Sequence, residues 1–212
     1  SSFSSLEPVP TVASVDDTEV DSAGGGNQTI VITGTNFSSG SVASFVGSSA
    51  SFNASTTTVD SATQITAVAP KASFLNAQEP YKVKVTSASG LAGTSATGLI
   101  NVDNAPTWTT NAGSLGSIME SATGNHFTVS ASDAEGDTVA YSLQSGSLAG
   151  LSLNSSSGVI SGDPTDVSSD TTNSFTLRAT AGSKTADRTF TITTNASNYF
   201  GDGSDGALNT TP

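Results

Sequence analysis

The sequence predicts an all-β protein built as two consecutive β-sandwiches, and three observations carry this. Helical periodicity is nearly absent, and short runs of alternating apolar and polar residues recur between clusters of Gly, Ser, Asn and Asp. The chain is rich in Val, Ile and Thr, which suit strands, while Asp, Glu, Lys and Arg make up only 11% of it. Its 212 residues exceed one sandwich of about 100 residues and accommodate two. Apolar residues reach 34%, and the 21 glycines close most of the gap to the globular norm of about 45–50%, which counts glycine. Disordered chains carry more charge and fewer β-branched residues, so the chain is read as folded.

In the first half, strands are expected near residues 29–34, 42–46, 50–53, 64–68, 81–86 and 98–102. The run Tyr81-Lys82-Val83-Lys84-Val85 alternates cleanly, which turns Val83 and Val85 inward and leaves Lys82 and Lys84 in water. In the second half, Phe127, Val129 and Ala131 alternate with Thr128 and Ser130. Phe175, Leu177 and Ala179 repeat the pattern, as do Phe190 and Ile192. The boundary falls at Asp103-Asn104-Ala105-Pro106, because proline has no ladder donor and holds its predecessor extended. The expected layout is a lead-in over 1–9, a first domain over 10–103, a second over 104–195 and a Gly/Asp-rich exit over 196–212. A short Pro-containing junction implies an extended arrangement of the two.

The formal charge is −12, from 18 acidic and 6 basic residues. Nucleic-acid binding calls for Lys and Arg against phosphate, so no nucleic-acid partner is expected. An acidic surface instead binds cations or maintains solubility. The absence of cysteine excludes disulfides, thiolate metal sites and cysteine nucleophiles. No apolar run approaches the ~18 residues of a membrane helix, so membrane insertion is not expected.

Three stretches carry family resemblances. Pro10-Thr11-Val12-Ala13-Ser14-Val15, Gly24-Gly25-Gly26 and Thr29-Ile30-Val31-Ile32-Thr33-Gly34-Thr35-Asn36-Phe37 match a Pro–hydrophobic opening, a glycine pair and a strand ending in G-x-N-F. With the runs 42–47 and 65–70, residues 10–103 resemble a TIG-type immunoglobulin-like domain. Glycines there allow the tight turn before the strand, and Phe37 is expected to cap the core after a turn at Gly34. The second half carries Asp103-Asn104-Ala105-Pro106-Thr107-Trp108, the acidic stretch Asp133-Ala134-Glu135-Gly136-Asp137, Leu151-Ser152-Leu153 and Gly158-Val159-Ile160-Ser161-Gly162. It resembles a cadherin-like module of the dystroglycan-type or putative-Ig variant. Both resemblances imply immunoglobulin-like sandwiches. The exit segment Tyr199-Phe200-Gly201-Asp202-Gly203-Ser204-Asp205-Gly206-Ala207-Leu208 resembles segments of structural and fibre proteins of marine tailed phages.

In cadherin-type junctions the linker and the following acidic loop converge on calcium. The resemblance therefore implies a calcium site at Asp103, Asn104, Asp133, Glu135 and Asp137. The alternative is a solvated acidic turn in which Asp and Gly serve turn geometry. Asp202-Gly203-Ser204-Asp205 lacks the spacing and terminal Glu of an EF-hand loop, and Asp16, Asp17, Glu19 and Asp21 read as a solvated loop. His126, the single histidine, is expected on the outward face beside Thr128 and Ser130. Alone it neither anchors zinc nor completes a Ser-His-Asp set. Trp108 reads as a core residue rather than a sugar platform. No catalytic residue is assigned.

The expected role is a structural or adhesive component of a tailed-phage virion, a tail fibre or a head or neck appendage segment acting as spacer and docking surface. Its partners would be other virion proteins or a host surface receptor or polysaccharide, with homo-oligomer assembly among the expectations. The alternative is a bacterial cell-surface adhesin or polysaccharide-binding module. The corresponding locations are the virion surface and the bacterial, extracellular surface.

Overall fold

The structure, a computed structural model, describes residues 6–197. Packing divides the chain into two compact units. Of the described residues, the first takes in 6–107 together with 132–138 and 181–184, and the second takes in 108–131, 139–180 and 185–197.

The first half of the chain forms β1 (Thr11–Val15), β2 (Glu19–Val20), β3 (Asn27–Thr35), β4 (Val42–Val46), β5 (Ser51–Asn53), β6 (Thr56–Ser61), β7 (Gln64–Pro70), β8 (Lys82–Thr86), β9 (Ala92–Thr94) and β10 (Asn101–Val102). One sheet has the order β1-β3-β7-β6 and the other β5-β4-β8-β9, while β2 and β10 pair in parallel. The alternation of side chains supplies the core. Ile30 and Ile32 from β3 and Ile65, Ala67 and Ala69 from β7 are fully buried with Ala43 and Phe45 from β4 and Val83 and Val85 from β8. Lys82 is exposed, as the alternation requires, whereas Lys84 is half-buried rather than fully in water.

Aromatic rings close this core. Phe45, Phe52, Phe74 and Tyr81 form a cluster with edge-on and tilted geometry and centroids 5.0–5.9 Å apart. The Tyr81 hydroxyl accepts the Leu75 N–H at 2.7 Å. Burial pushes its pKa above the ordinary value, against the lowering effect of that bond, so the phenol stays neutral at physiological pH.

In the first half, four strands escape the sequence reading. β6, with sequence TTTVDS, shows no apolar alternation because it lies at a sheet edge with half-buried and exposed residues. β1, β2 and β9 are short, and only Val20 among them is fully buried. Tyr81 lies outside β8 and bridges only to Ile100.

The G-x-N-F stretch works differently from the expectation. The turn sits at Asn36, which takes the left-handed conformation with φ 61°, and not at Gly34, which remains inside β3. The Asn36 side chain donates to the Val9 carbonyl at 2.9 Å, and Phe37 enters the core at 5% exposure. Gly34 is needed for close approach: a β-carbon there would stand 1.9 Å from the Thr11 carbonyl oxygen and 2.5 Å from the Phe37 ring. Gly25 and Gly26, at φ 69° and 70°, make the turn before β3 as expected.

The second half forms β11 (Thr107–Trp108), β12 (Gly113–Met119), β13 (Asn125–Thr128), β14 (Ala131–Ser132), β15 (Ala140–Gly146), β16 (Leu151–Leu153), β17 (Val159–Gly162), β18 (Thr171–Ala181) and β19 (Lys184–Asn195). The main sheet runs β12-β19-β18-β15, and β13-β17-β16 is the other, with β11 beside β14. Phe175 and Leu177 from β18 and Phe190 and Ile192 from β19 are buried with Val129, Tyr141, Leu151 and Ile160. Trp108 is buried among them, 5.3 Å from Phe190 and 5.7 Å from Tyr141, and its indole N–H donates to the Ala186 carbonyl at 3.0 Å. The run 127–131 is not one continuous strand. β13 ends at Thr128 after a bulge between Asn125 and Phe127, and β14 begins at Ala131. β12 is unexpected from sequence because Gly113 and Gly116, at φ 98° and 137°, break its pattern.

Replacing Gly34 with alanine forces β1 away from β3. Overpacking of this kind costs about 1–3 kcal/mol. The expected outcome is a lower urea midpoint for unfolding of the first unit in Gly34→Ala, and an unchanged midpoint would contradict the close-approach account.

Candidate functional site

All five residues of the expected calcium site fall within the first unit. Asp103 and Asn104 follow β10 directly, and the Asp103 N–H donates to the Val20 carbonyl at 3.0 Å. Asp133, Glu135 and Asp137 lie on the loop that follows β14. That loop is tied by its own carboxylate: Asp133 Oδ1 accepts the N–H groups of Glu135 at 3.1 Å and Asp137 at 3.0 Å. This is the Asx turn that Asp favours. Asp133 Oδ2 is buried and has no hydrogen-bond partner, a costly condition for a carboxylate oxygen.

Glu135 and Asn104 are joined. The glutamate oxygens accept the Asn104 side-chain N–H at 2.8 Å and its backbone N–H at 3.2 Å. Asn104 Oδ1 in turn accepts from the Ser22 hydroxyl and the Ala23 N–H, both at 3.0 Å. Asn76 donates to the Ala134 carbonyl at 3.0 Å. Asp103 Oδ2 accepts from the Ser183 hydroxyl at 3.3 Å. Asp137 Oδ2 lies 2.7 Å from where a β-carbon on Gly182 would stand. Ser22, Ala23, Asn76 and Ser183 are contributors that sequence reasoning missed. They are common turn residues, and Ser22 and Ser183 lie 82 and 80 positions from their partners, so no local pattern marks them.

The donors around this loop are all oxygens of the hard type that calcium takes. Among the described residues, no three Asp, Glu or His side chains gather closely enough to hold a metal ion. The arrangement as it stands is a hydrogen-bonded acidic loop with one buried carboxylate oxygen, Asp133 Oδ2, left unpartnered.

The other candidates resolve differently from the sequence reading. His126 is half-buried rather than free on an outward face, because its Nε2 meets the Gly162 carbonyl at 2.8 Å. Asp16 and Asp17 are engaged rather than merely solvated. Asp16 accepts the Val31 N–H at 2.7 Å, Asp17 accepts from the Gln28 side chain, and Glu19 lies 3.9 Å from the Lys184 ammonium. The expected features at 199–208 lie outside the described residues.

A second engaged carboxylate, Glu120, stands at the end of β12. Glu120 accepts the Val167 N–H at 2.8 Å, the Ser197 N–H at 2.9 Å and the Ser197 hydroxyl. These bonds, that of the Ser197 hydroxyl first, hold the Glu120 carboxyl below the usual glutamate range.

Comparison with known proteins fits this architecture. Residues 10–102 match the IPT/TIG domain, and residues 105–195 match the family described as Putative Ig domain. Residues 10–102 thus carry an IPT/TIG domain, followed over 105–195 by a Putative Ig domain. Both are non-catalytic, no catalytic family matches, and such tandems are typical of extracellular adhesive or surface modules. No curated protein matches the chain in sequence. Solved structures with similar folds include the protocadherin GammaB4 extracellular domain, at 18% identity and a TM-score of 0.40, covering 89% of this chain and 33% of that one. Drosophila N-cadherin EC1-3 matches at 13% identity and 0.39, over 90% and 68%. The titin I-band fragment I67-I69 matches at 11% and 0.46, over 89% and 66%. The chain thus spans about one third of the protocadherin and about two thirds of the titin fragment.

The Glu120 bonds make a pH prediction. A carboxyl whose folded pKa is depressed stabilises its contacts above the unfolded value, about 4.3. That stability is lost as pH falls through the folded pKa. The amide resonances of Val167 and Ser197 should therefore titrate together in NMR, with a midpoint below that of free glutamate. Glu120→Gln should abolish that titration, and a midpoint at or above the ordinary value would refute the assignment.

Proposed function

We propose that this chain is a structural spacer and docking module of a tailed-phage virion, in a tail fibre or a head or neck appendage. The observation that carries the spacer role is the tandem of two non-catalytic sandwiches, each closed by its own core. The phage setting draws on the likeness of Phe200-Gly201-Asp202-Gly203-Ser204-Asp205-Gly206 to phage fibre segments. Other virion proteins, or a host surface receptor or polysaccharide, would dock on the sheet faces, and copies of the chain would associate in the assembled structure. A bacterial surface adhesin is the second reading, favoured by the same tandem. A sugar platform at Trp108 is disfavoured, because the ring is buried and its N–H is already used.

Calcium is proposed as a ligand of Asp103, Asn104, Asp133, Glu135 and Asp137. The support is the all-oxygen donor set and the unpartnered Asp133 Oδ2. Bound there, the ion would supply positive charge to a loop rich in carboxylates. Asp133 would keep the loop folded through Oδ1 and offer Oδ2, and Asn104 and Glu135 would hold the linker against the loop.

Two experiments test this reading. In mass spectrometry of gradient-purified phage particles and of host-envelope fractions, peptides of this chain should be enriched in the particles at fixed copy number. Recovery only from the envelope would replace the virion reading with the adhesin. For calcium, binding to the folded state alone adds about 2.7 kcal/mol at an ion concentration a hundred times Kd. Millimolar calcium should therefore raise the melting temperature of the wild-type chain, with reversal by chelator and loss of most of the effect in Asp133→Asn. An unshifted wild-type melt would remove calcium from the proposal.

A further inference from the structure

We propose that the outer face of the sheet β5-β4-β8-β9 binds an acidic polysaccharide, with Lys82 and Lys84 holding its carboxylates. The inference rests on the docking reading above and names both the face and the chemistry of the ligand.

The chain carries 18 acidic and 6 basic residues, but the acid is unevenly placed. Residues 22–59 contain no charged side chain, and from 60 to 102 the charged residues are Asp60, Lys71, Glu79, Lys82 and Lys84. All four strands of this sheet fall within those stretches, and their only charged residues are Lys82 and Lys84. The two carboxylates of the region are engaged elsewhere. Asp60 lies on β6 of the other sheet and accepts the Thr66 hydroxyl at 2.7 Å, and Glu79 accepts the Val102 N–H.

Alternation puts both lysines on one face. Ala43 and Phe45 of β4 and Val83 and Val85 of β8 are fully buried, so Lys82 and Lys84 point outward, about 7 Å apart along their strand. Register sets their neighbours. Lys84 stands between Ser44 of β4 and Thr94 of β9, and Ser44 is followed by Asn53 of β5. A row of hydroxyl and amide groups with one ammonium thus crosses all four strands. Lys82 is exposed and Lys84 half-buried, the latter as befits a lysine that lays its stem along a sheet and keeps its head in water.

The other cations of the second half are occupied. Arg178 pairs with Asp187 at 2.7 Å, Lys184 stands 3.9 Å from Glu19, and Arg188 donates to the Thr110 carbonyl at 2.7 Å. Among the described residues, Lys82 and Lys84 have no carboxylate within ion-pair reach. Their charge is therefore open to an outside anion. Acid elsewhere on the chain acts weakly on this face, because charges in water are screened beyond about 8 Å at physiological ionic strength.

The face also limits the form of the ligand. The nearby rings of Phe45, Phe52, Phe74 and Tyr81 pack into one another on the inner side, so no aromatic platform is offered to a neutral sugar. The outward groups are two ammonium ions and polar side chains such as Asn53 and Thr94, both exposed. They match a polymer that repeats both charge and hydroxyls. The ammonium ions take the carboxylates of uronic-acid units, and Asn53 and Thr94 bond the sugar hydroxyls.

The test is binding of the full chain to polygalacturonate, with neutral dextran as control. Chelator is present throughout, so that calcium cannot bridge the polymer to the acidic loop. The wild-type chain should bind polygalacturonate and not dextran. Raising salt from about 0.1 M to about 1 M, which shortens the screening length from about 10 Å to 3 Å, should release it. Lys82→Gln with Lys84→Gln should weaken binding by about tenfold or more, since each removes a charged donor. The fold is checked by an unchanged melting temperature. Lys82→Gln alone, at an exposed position, should lose several-fold, and arginine at both positions should restore binding. Lys71→Gln, outside the four strands, should bind as the wild type does. Absence of wild-type binding would overturn the proposal. So would equal binding by the double glutamine variant, or an equal loss in Lys71→Gln. Self-association of the wild type that the double variant abolishes, without polygalacturonate binding, would instead assign the face to a second copy of the chain. Absence of the protein from virions would leave a positive binding result intact, and failure to bind would leave the virion reading to its own test.

Discussion

Each sandwich is closed by aromatic packing in a chain that has no cysteine to staple its sheets. In the first, Phe45, Phe52, Phe74 and Tyr81 interlock in five ring pairs. Such pairs add about 0.5–1.5 kcal/mol each beyond the area they bury, so the cluster rivals the roughly 2–4 kcal/mol of a disulfide. In the second, Trp108, Phe190 and Phe175 pack in sequence, with Tyr141 against the indole. These rings sit among the buried aliphatic side chains that complete each core.

Both cores also use a buried tyrosine to fix a loop. Tyr81 holds Leu75 and Tyr141 holds Ala131 through hydroxyl-to-backbone bonds of 2.7 and 2.9 Å. Ala131 lies just before the acidic loop, so the core of the second half fixes the start of the segment that carries Asp133, Glu135 and Asp137. Outside, the main sheet of the second half shows hydroxyl pairs beside an ion pair. Thr172 meets Thr193 at 2.8 Å, Thr176 meets Thr189 at 2.9 Å, and the Arg178–Asp187 pair joins the same two strands. An exposed ion pair of this kind contributes little to stability. The outer face is thus suited to water and to polar partners, in keeping with a surface module.

The strands legible in the sequence were those whose alternation is apolar. β8 announces itself because one side of it faces the core, with Val83 and Val85 inward. β6 does not, because an edge strand needs backbone partners more than apolar side chains. β12 was hidden for a different reason: its glycines break the pattern, and its partner β19 lies some seventy residues away in sequence. The G-x-N-F stretch was recognisable, yet the division of labour within it was not. Which residue turns and which makes room depends on where the Thr11 carbonyl passes, and no local rule supplies that.

The candidate site shows the same limit. The acidic residues and the linker stand out by spacing. Their bonds do not, since Asn104 is held by Ser22 and Ala23 from a distant loop and by Glu135 from another. The all-β class, the two sandwiches and the core residues of the alternating runs were legible from the chain alone, because inward and outward positions alternate with a period of two along any strand. Folding in three dimensions set the parallel β12–β19 pairing, the unpartnered oxygen of Asp133 and the Glu120–Ser197 bonds. Each of these depends on segments far apart in the chain meeting in space, which periodicity along one strand does not encode.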